Sequence, residues 1–194
     1  GERQVNRTAK QTTQNNMKKV LGLVTMLALT VGVVGQGQVN FLNFNGTTVN
    51  APVSNAAGDL CDNTYMGQLY AGPDAGSLAA VGDPVSFISG GIISGGTVNI
   101  PTVTPAGGAA AVQLRAWASA SGATWEEATA NPVGELGSSD IISLAATGNS
   151  AGSPPSVPVD LVGLNAFDLQ VVPEPGTWAL LALGLGALAL RRRK

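Results

Sequence analysis

The chain has 194 residues, of which 44% are hydrophobic and only 11% are charged, against roughly 25% charged residues in an average soluble domain. Its 26 glycines and 11 prolines favour turns and short strands over a helical bundle. The absence of histidine excludes His-based triads and imidazole metal sites, and a single cysteine excludes an internal disulfide or a Cys-cluster metal site. The length suits one domain with short appendages.

The formal net charge of −2 conceals a strong segregation of charge along the chain. Between Gln38 and Val172 there is one basic residue, Arg115, and there are ten acidic residues, which together give a formal charge of −9. Affinity for nucleic acids comes chiefly from Lys and Arg that neutralise phosphates. We therefore expect no nucleic-acid partner for this region.

A secretory signal peptide is predicted near the N-terminus. Met17-Lys18-Lys19 precedes the uncharged, mostly apolar run Val20–Val34, and small residues stand at positions −3 and −1 if cleavage falls between Gly37 and Gln38. Gly35 and Gly37 are those small residues. The alternatives are a buried helix or a retained anchor, although the run is shorter than the roughly 20 residues that span a bilayer.

The middle of the chain, residues 38–171, shows short β-prone runs separated by turn signals. Asn45-Gly46 lies between two such runs and predicts a two-residue hairpin turn, while Thr124–Ala128 predicts one helical turn. The pattern predicts an all-β fold, a single antiparallel β-sandwich of the Ig-like or jelly-roll-like type. The predicted strands cover residues 38–44, 47–53, 65–71, 85–89, 97–103, 111–117, 141–145 and 161–172.

One predicted strand, residues 111–117, alternates strictly between two faces. Val112, Leu114 and Ala116 lie on one face, and Gln113, Arg115 and Trp117 lie on the other. The predicted core contains Leu114 and the other valine, isoleucine and leucine residues of the region, together with Phe41, Phe44, Tyr70, Phe87 and Phe167.

Candidate chemistry in the middle region is sparse. Glu126 and Glu127 with Asp140 or Asp160 would supply the carboxylate pair of a glycosidase, but a solvated turn is favoured. The acidic stretch 59–63 contains oxygen ligands for calcium, yet it lacks the spacing of an EF-hand, so an acidic loop is favoured.

Three further features have a structural and a functional interpretation. Cys61 has no histidine to activate it, so a buried thiol is favoured over a nucleophile. Asn45-Gly46-Thr47 fits the glycosylation sequon, but the hairpin turn is preferred. An aromatic platform for stacking sugars is the functional interpretation of four residues, Tyr65, Tyr70, Trp117 and Trp125. Core or partly buried positions are preferred for them.

The C-terminal segment combines three features in a fixed order. Val172-Pro173-Glu174-Pro175 imposes an extended approach, an apolar helix is predicted at about residues 177–190, and Arg191-Arg192-Arg193-Lys194 follows. The cations predict a cytoplasmic end under the positive-inside rule, with a short transmembrane helix before them. The side chains predicted to lie in the membrane are Trp178, Leu180, Leu181, Leu183, Leu185, Leu188 and Leu190.

This tail resembles the PEP-CTERM sorting signal of Gram-negative bacteria, in Pro173-Glu174-Pro175, the apolar run and the terminal cations. The resemblance implies that the protein is the substrate of an exosortase, a membrane-embedded transpeptidase-like enzyme that uses a cysteine nucleophile. Processing would occur near the Pro-Glu-Pro, and the product would pass to the cell surface or an extracellular polysaccharide matrix. Gly176 departs from the Ser or Ala that usually follows the motif.

These features predict four segments: a disordered upstream extension (1–16), a signal peptide (17–37), a β-sandwich ectodomain (38–171) and a sorting and anchor segment (172–194). The predicted function is that of an exported structural protein without catalytic activity, cofactor or metal. The alternatives are a carbohydrate-binding module and, more remotely, a glycoside hydrolase. The expected partners are an exosortase, the general secretion machinery and the cell membrane, with exopolysaccharide as a further candidate.

Overall fold

The structure is a computed structural model, and it describes residues 35–131 and 134–171. Within these residues the chain forms ten strands and very little helix, which confirms the all-β class. The strands are β1 (Gly37–Leu42), β2 (Val53–Ser54), β3 (Tyr65–Gly72), β4 (Ala79–Ser86), β5 (Ser94–Ile100), β6 (Ala110–Ala118), β7 (Glu135–Ser138), β8 (Ile142–Leu144), β9 (Phe167–Asp168) and β10 (Gln170–Val171).

The largest sheet has six strands, with β10, β7, β6, β3 and β4 as neighbours in that order. The remaining strand, β8, also pairs with β6, so that β7 and β8 lie along different parts of one edge of β6. Ser139 joins these two parts: it is buried, and both its backbone N–H and its hydroxyl bond to the backbone of Leu114. All pairs in this sheet are antiparallel.

Two smaller sheets complete the described strands. In one, β1 pairs with β5 antiparallel from Gly37 opposite Ile100 to Leu42 opposite Ser94. In the other, β2 pairs with β9 in parallel. The consecutive strands β1 and β2 are therefore not paired with each other.

The main core contains apolar residues from both the large sheet and the smaller sheets. On β6, Val112, Leu114 and Ala116 face this core, as the alternation predicted. They lie in register with residues of β3 on the same face, Leu69 opposite Leu114 and Ala71 opposite Val112. From the smaller sheets and their flanks come Val39, Phe41, Val53, Ile93, Val98 and Ile100.

A single α-helix is described, α1 (Trp125–Ala130), preceded by a 3₁₀ turn at Ser119–Ser121. The Thr124 hydroxyl accepts a hydrogen bond from the Glu127 N–H at 3.2 Å, and the Glu127 carboxylate accepts one from the Ala123 N–H at 2.8 Å. The Thr124 bond is that of a capping box, whereas the Glu127 carboxylate reaches the N–H of the residue before the N-cap instead of that of Thr124 itself. The predicted helical turn is confirmed.

The predicted two-residue hairpin at Asn45-Gly46 is wrong. The chain reverses over a longer loop, in which the Asn45 N–H donates to the Val49 carbonyl and a single bridge joins Phe44 to Asn50. The Asn45 carboxamide oxygen accepts from the N–H groups of Thr47, Thr48 and Val49. These side-chain bonds replace the ladder that a tight hairpin would have formed.

The predicted segments can be compared with the structure only where they fall within the described residues. Residues 65–71, 111–117 and 141–145 correspond closely to β3, β6 and β8. Residues 1–34 and 172–194, which contain the predicted extension, most of the signal peptide and the whole sorting segment, lie outside the described residues. Among the residues that the structure describes, no helix has the length and apolarity needed to span a membrane.

Candidate functional site

The described domain ends in a short segment that contacts two sheets, and we call residues 167–171 the C-terminal strap. Its first part, β9, pairs with β2, and its second part, β10, pairs with β7. Between them Leu169 is fully buried, and its N–H donates to the Ser54 carbonyl at 2.8 Å. The strap is therefore held by one buried side chain and by two short ladders.

Beyond Leu169 the strap becomes exposed. Gln170 lies opposite Leu136 and Val171 lies opposite Glu135, but both residues of β10 are exposed, Val171 to 62%. The predicted sorting motif, Val172 to Pro175, follows directly and lies outside the described residues. The last described core side chain therefore precedes the Pro-Glu-Pro by only a few residues.

The predicted cleavage residues at the N-terminal side lie inside the folded domain. Gly35 accepts a hydrogen bond from the Ala106 N–H at 2.8 Å, and Gly37 donates to the Val103 carbonyl at 3.0 Å. Gln38, the predicted first residue after cleavage, lies in β1 and its N–H donates to Gly148. These three are the predicted site residues that fall within the described ranges.

A polar and aromatic group covers the other face of the large sheet, and we call it the Arg115 cluster. It is formed where β3 and β6 present their second faces to α1 and to the turn before it. Its members are Tyr70, Gln113, Arg115, Trp117, Trp125 and Glu126.

The guanidinium of Arg115 is the centre of this cluster. Its central carbon lies 3.8 Å from the centroid of the Tyr70 ring and 5.4 Å from that of Trp125. Its Nε donates to the Gln113 side-chain oxygen at 3.0 Å. Cations are attracted to aromatic faces at such distances, so the arrangement joins α1 to the sheet.

Tyr70 and Glu126 form the second contact between the sheet and α1. The Tyr70 hydroxyl donates to the Glu126 carboxylate at 2.6 Å. This bond, more than the nearby charge of Arg115, lowers the pKa of Glu126. Burial first, and then the same hydrogen bond, raises the pKa of Tyr70 to about 12.

The aromatic residues do not form a coplanar platform. Trp117 is fully buried, and its ring meets that of Trp125 at 71° with 6.2 Å between centroids. The Trp117 Nε1–H donates to the Gly122 carbonyl at 2.9 Å, and Tyr70 is only 4% exposed. The preference for core or partly buried positions is confirmed, because Trp117 and Tyr70 are buried and Tyr65 and Trp125 are partly buried. Trp117 and Tyr70 are buried on the second face of the sheet.

The other candidate sites have structural roles as well. Asp160 accepts hydrogen bonds from the side chains of Asn40 and Asn45. The sequon residue Asn45 thus organises a loop that is longer than the preferred two-residue hairpin turn. Burial, and then the carboxylates around it, raise the pKa of the fully buried Cys61 to about 12. Within residues 35–131 and 134–171, no group of three or more His, Cys, Asp or Glu side chains is arranged to hold a metal ion.

The roles of Arg115 and Asn43 were not predicted from the sequence. Asn43 is fully buried, and its amide bonds to the backbone of Ala51 and to that of Gly91 and Ile93, which lie in one loop. The available signal for Arg115 was its position as the one cation on an alternating strand, beside an aromatic residue. No comparable local signal marks Asn43.

Comparison with known families identifies the segment that follows the C-terminal strap. Residues 171–194 match the family model of the PEP-CTERM protein-sorting motif. The chain is thus an all-β protein that carries a PEP-CTERM sorting signal, which marks an exported protein that an exosortase processes at the membrane. No curated protein and no solved structure matches the chain.

Proposed function

We propose that this is a structural protein of the cell surface or extracellular matrix, anchored by its sorting segment until an exosortase processes it, and without catalytic activity of its own. The observation that carries the proposal is the sorting motif at residues 171–194, which begins where the C-terminal strap ends. The described core lies wholly before that motif, because Leu169 is its last member. Cleavage near Pro173 would leave this core intact.

The proposed membrane intermediate has its ectodomain outside the cytoplasm and Arg191–Lys194 inside. Two sequence features support it independently. The predicted signal peptide of residues 17–37 directs the middle region out of the cell, and the terminal cations favour the cytoplasmic side. We propose Trp178 as the residue at the outer interface and the leucines up to Leu190 as the apolar part of the anchor.

The ectodomain is proposed to be a two-layer β-sandwich. Core residues from the small sheets, such as Phe41 and Val98, belong to the same cluster as Leu69 and Leu114 of the large sheet. The close approach at Gly67 supports this arrangement: a side-chain Cβ there would lie 2.6 Å from Ile93 Cδ1. Two packed layers around one core are the usual solution for sheets with one apolar face.

Carbohydrate binding is the second candidate, and one observation favours it. Trp125 remains partly exposed beside Arg115, the one basic side chain of residues 38–172. An aromatic ring beside a cation fits an acidic saccharide better than a neutral one. Pull-down with acidic exopolysaccharide tests it: Trp125→Ala should lose binding if the role is real, and equal binding by the variant and the wild type would remove this candidate.

The sorting proposal is tested by changing both prolines of the motif. In cells that contain an exosortase, the Pro173→Ala/Pro175→Ala double variant should remain in the membrane fraction, whereas the wild type should reach the surface material. Pro73→Ala, at an exposed position after β3, is the matched control and should behave as the wild type. Equal release of the double variant and the wild type would contradict the proposal.

A further inference from the structure

Gly35-Gln36-Gly37 matches the small-x-small pattern of a signal-peptide cleavage site, yet it lies within the described domain. We propose that the signal peptide is cleaved upstream of Gly35, at the Gly32–Val33 bond, and that Gly35–Gly37 remain in the exported protein. This inference rests on the proposed export of the chain. Hydrolysis by a signal peptidase would consume one water molecule and leave a carboxylate on Gly32 and an amine on Val33.

Backbone hydrogen bonds are the first observation behind this proposal. The Gly35 carbonyl accepts from the Ala106 N–H, and the Gly37 N–H donates to the Val103 carbonyl. Gly37 is also the first residue of the β1–β5 ladder, opposite Ile100. Cleavage before Gln38 would remove all three contacts and shorten the ladder at the beginning of β1.

Close packing around the two glycines is the second, independent observation. A Cβ at Gly37 would lie 2.6 Å from the Thr147 hydroxyl oxygen and 3.0 Å from Val103 Cγ1. A Cβ at Gly35 would lie 3.0 Å from the Cβ of Ala151. Real Cβ contacts this short require a neighbour to move, so the folded domain itself explains why both positions carry glycine.

This packing changes the interpretation of the pattern. The small residues at positions 35 and 37 were predicted to form the recognition site of the peptidase. In the folded domain, the lack of a side chain at both positions allows the close packing of their neighbours. The same spacing of small residues occurs upstream at Thr30 and Gly32. Cleavage after Gly32 leaves an apolar stretch from Val20 to Leu29, which is within the 7–15 residues typical of a signal peptide.

The direct test is the N-terminal sequence of the exported protein, obtained from the full-length gene expressed in a secreting Gram-negative host. The expected first residue is Val33, and any start from Val31 to Gly35 retains the glycines in the domain. A start at Gln36 or Gln38 would overturn the proposal while leaving export intact. A start at Met17 or earlier would instead contradict the signal peptide, and with it the proposed route of export.

A second test uses the fact that alanine is as acceptable to the peptidase as glycine but adds a Cβ. Gly37→Ala should leave processing unchanged and lower the melting temperature of the exported protein by about 5 °C or more. Gln36→Ala, at the exposed neighbouring position, should leave the melting temperature unchanged. An unchanged melting temperature for Gly37→Ala would overturn the proposal. If that variant does not accumulate, the wild-type N-terminus decides the question alone.

Discussion

At the scale of single residues, Asn43 joins its own segment to Ala51 and to the loop at residues 91–93. Its amide nitrogen donates to the carbonyls of Ala51 and Gly91, both at 2.8 Å, and its oxygen accepts from the Ile93 N–H at 2.8 Å. Gly91 in turn has a positive φ of 70° and packs directly on the backbone of Val53. A buried side chain with every contact directed at the backbone fixes these loops in place.

Asn43→Ala should therefore be strongly destabilising. The substitution removes one hydrogen-bond donor from each of two buried carbonyls, and it removes the Asn43 oxygen that accepts from the Ile93 N–H. We therefore expect the free energy of unfolding to fall by about 2–4 kcal/mol. Urea denaturation measures this change. Asn63→Ala, at an exposed position, is the control and should change stability by less than about 0.5 kcal/mol. Equal effects of the two substitutions would contradict the role of Asn43.

The bond between Tyr70 and Glu126 predicts a dependence of stability on pH. Because the folded state lowers the pKa of Glu126 below its ordinary 4.5, the bond contributes stability above that value. The contribution is lost as the pH falls through the lowered pKa. Glu126→Gln should thus flatten the decline of the melting temperature on acidification from about pH 5 to pH 3.

Tyr70→Phe provides the matched test of the same bond, because it removes the donor and leaves the carboxyl group. It should also flatten the acid decline, since the hydroxyl is the largest cause of the lowered pKa. The same acid slope in the wild type and both variants would show that the bond has no influence on stability. The change in the acid slope will be modest, because the Glu126 carboxylate is exposed to solvent.

At the scale of elements, β6 is the strand on which both cores are built. Its alternation was predictable because one face is aliphatic and the other holds Gln113, Arg115 and Trp117. What covers the second face was not predictable from that strand. Trp117 is buried there because α1 and the turn at Gly122 lie against it, and this contact depends on the tertiary fold.

The strands that were missed or misplaced lack a local pattern. β4 was predicted to begin at Val85, after Pro84, but it begins at Ala79. Gly82 and Pro84 are accommodated because β4 is an edge strand with an irregular register opposite Gln68, whose amide donates to the Gly82 carbonyl. β7, Glu135–Ser138, has no alternation of apolar residues, and its position is set by β6.

The docking of α1 gives a prediction at this scale. Trp125→Ala removes the edge contact with Trp117 and the second ring near Arg115, and we expect it to lower the free energy of unfolding by about 2–3 kcal/mol. Hydrogen exchange at the Trp117 Nε1–H should also become faster. Thr129→Ala, on the exposed side of the same helix, is the control and should preserve both values. An unchanged rate of exchange at the Trp117 Nε1–H in Trp125→Ala would contradict the role of Trp125 in shielding Trp117 from solvent.

At the scale of the whole molecule, the all-β class and the position of the sorting signal were predictable from the sequence. Turn residues and β-prone runs are local signals, and the sorting motif is contiguous between residues 171 and 194. The pairing of β1 with β5 and the inclusion of Gly35–Gly37 in the domain were not predictable. Both depend on partners such as Ile100 and Thr147, which lie far along the chain.

Mass spectrometry of the protein recovered from the cell surface gives its C-terminal residue, and this residue decides whether the sorting segment is processed. The measurement should be made in two otherwise identical strains, one with an exosortase and one without. We expect a C-terminus near Pro173 only in the strain that has the enzyme, with the Leu169 side chain and the whole described core retained. An intact C-terminus at Lys194 in both strains would contradict it.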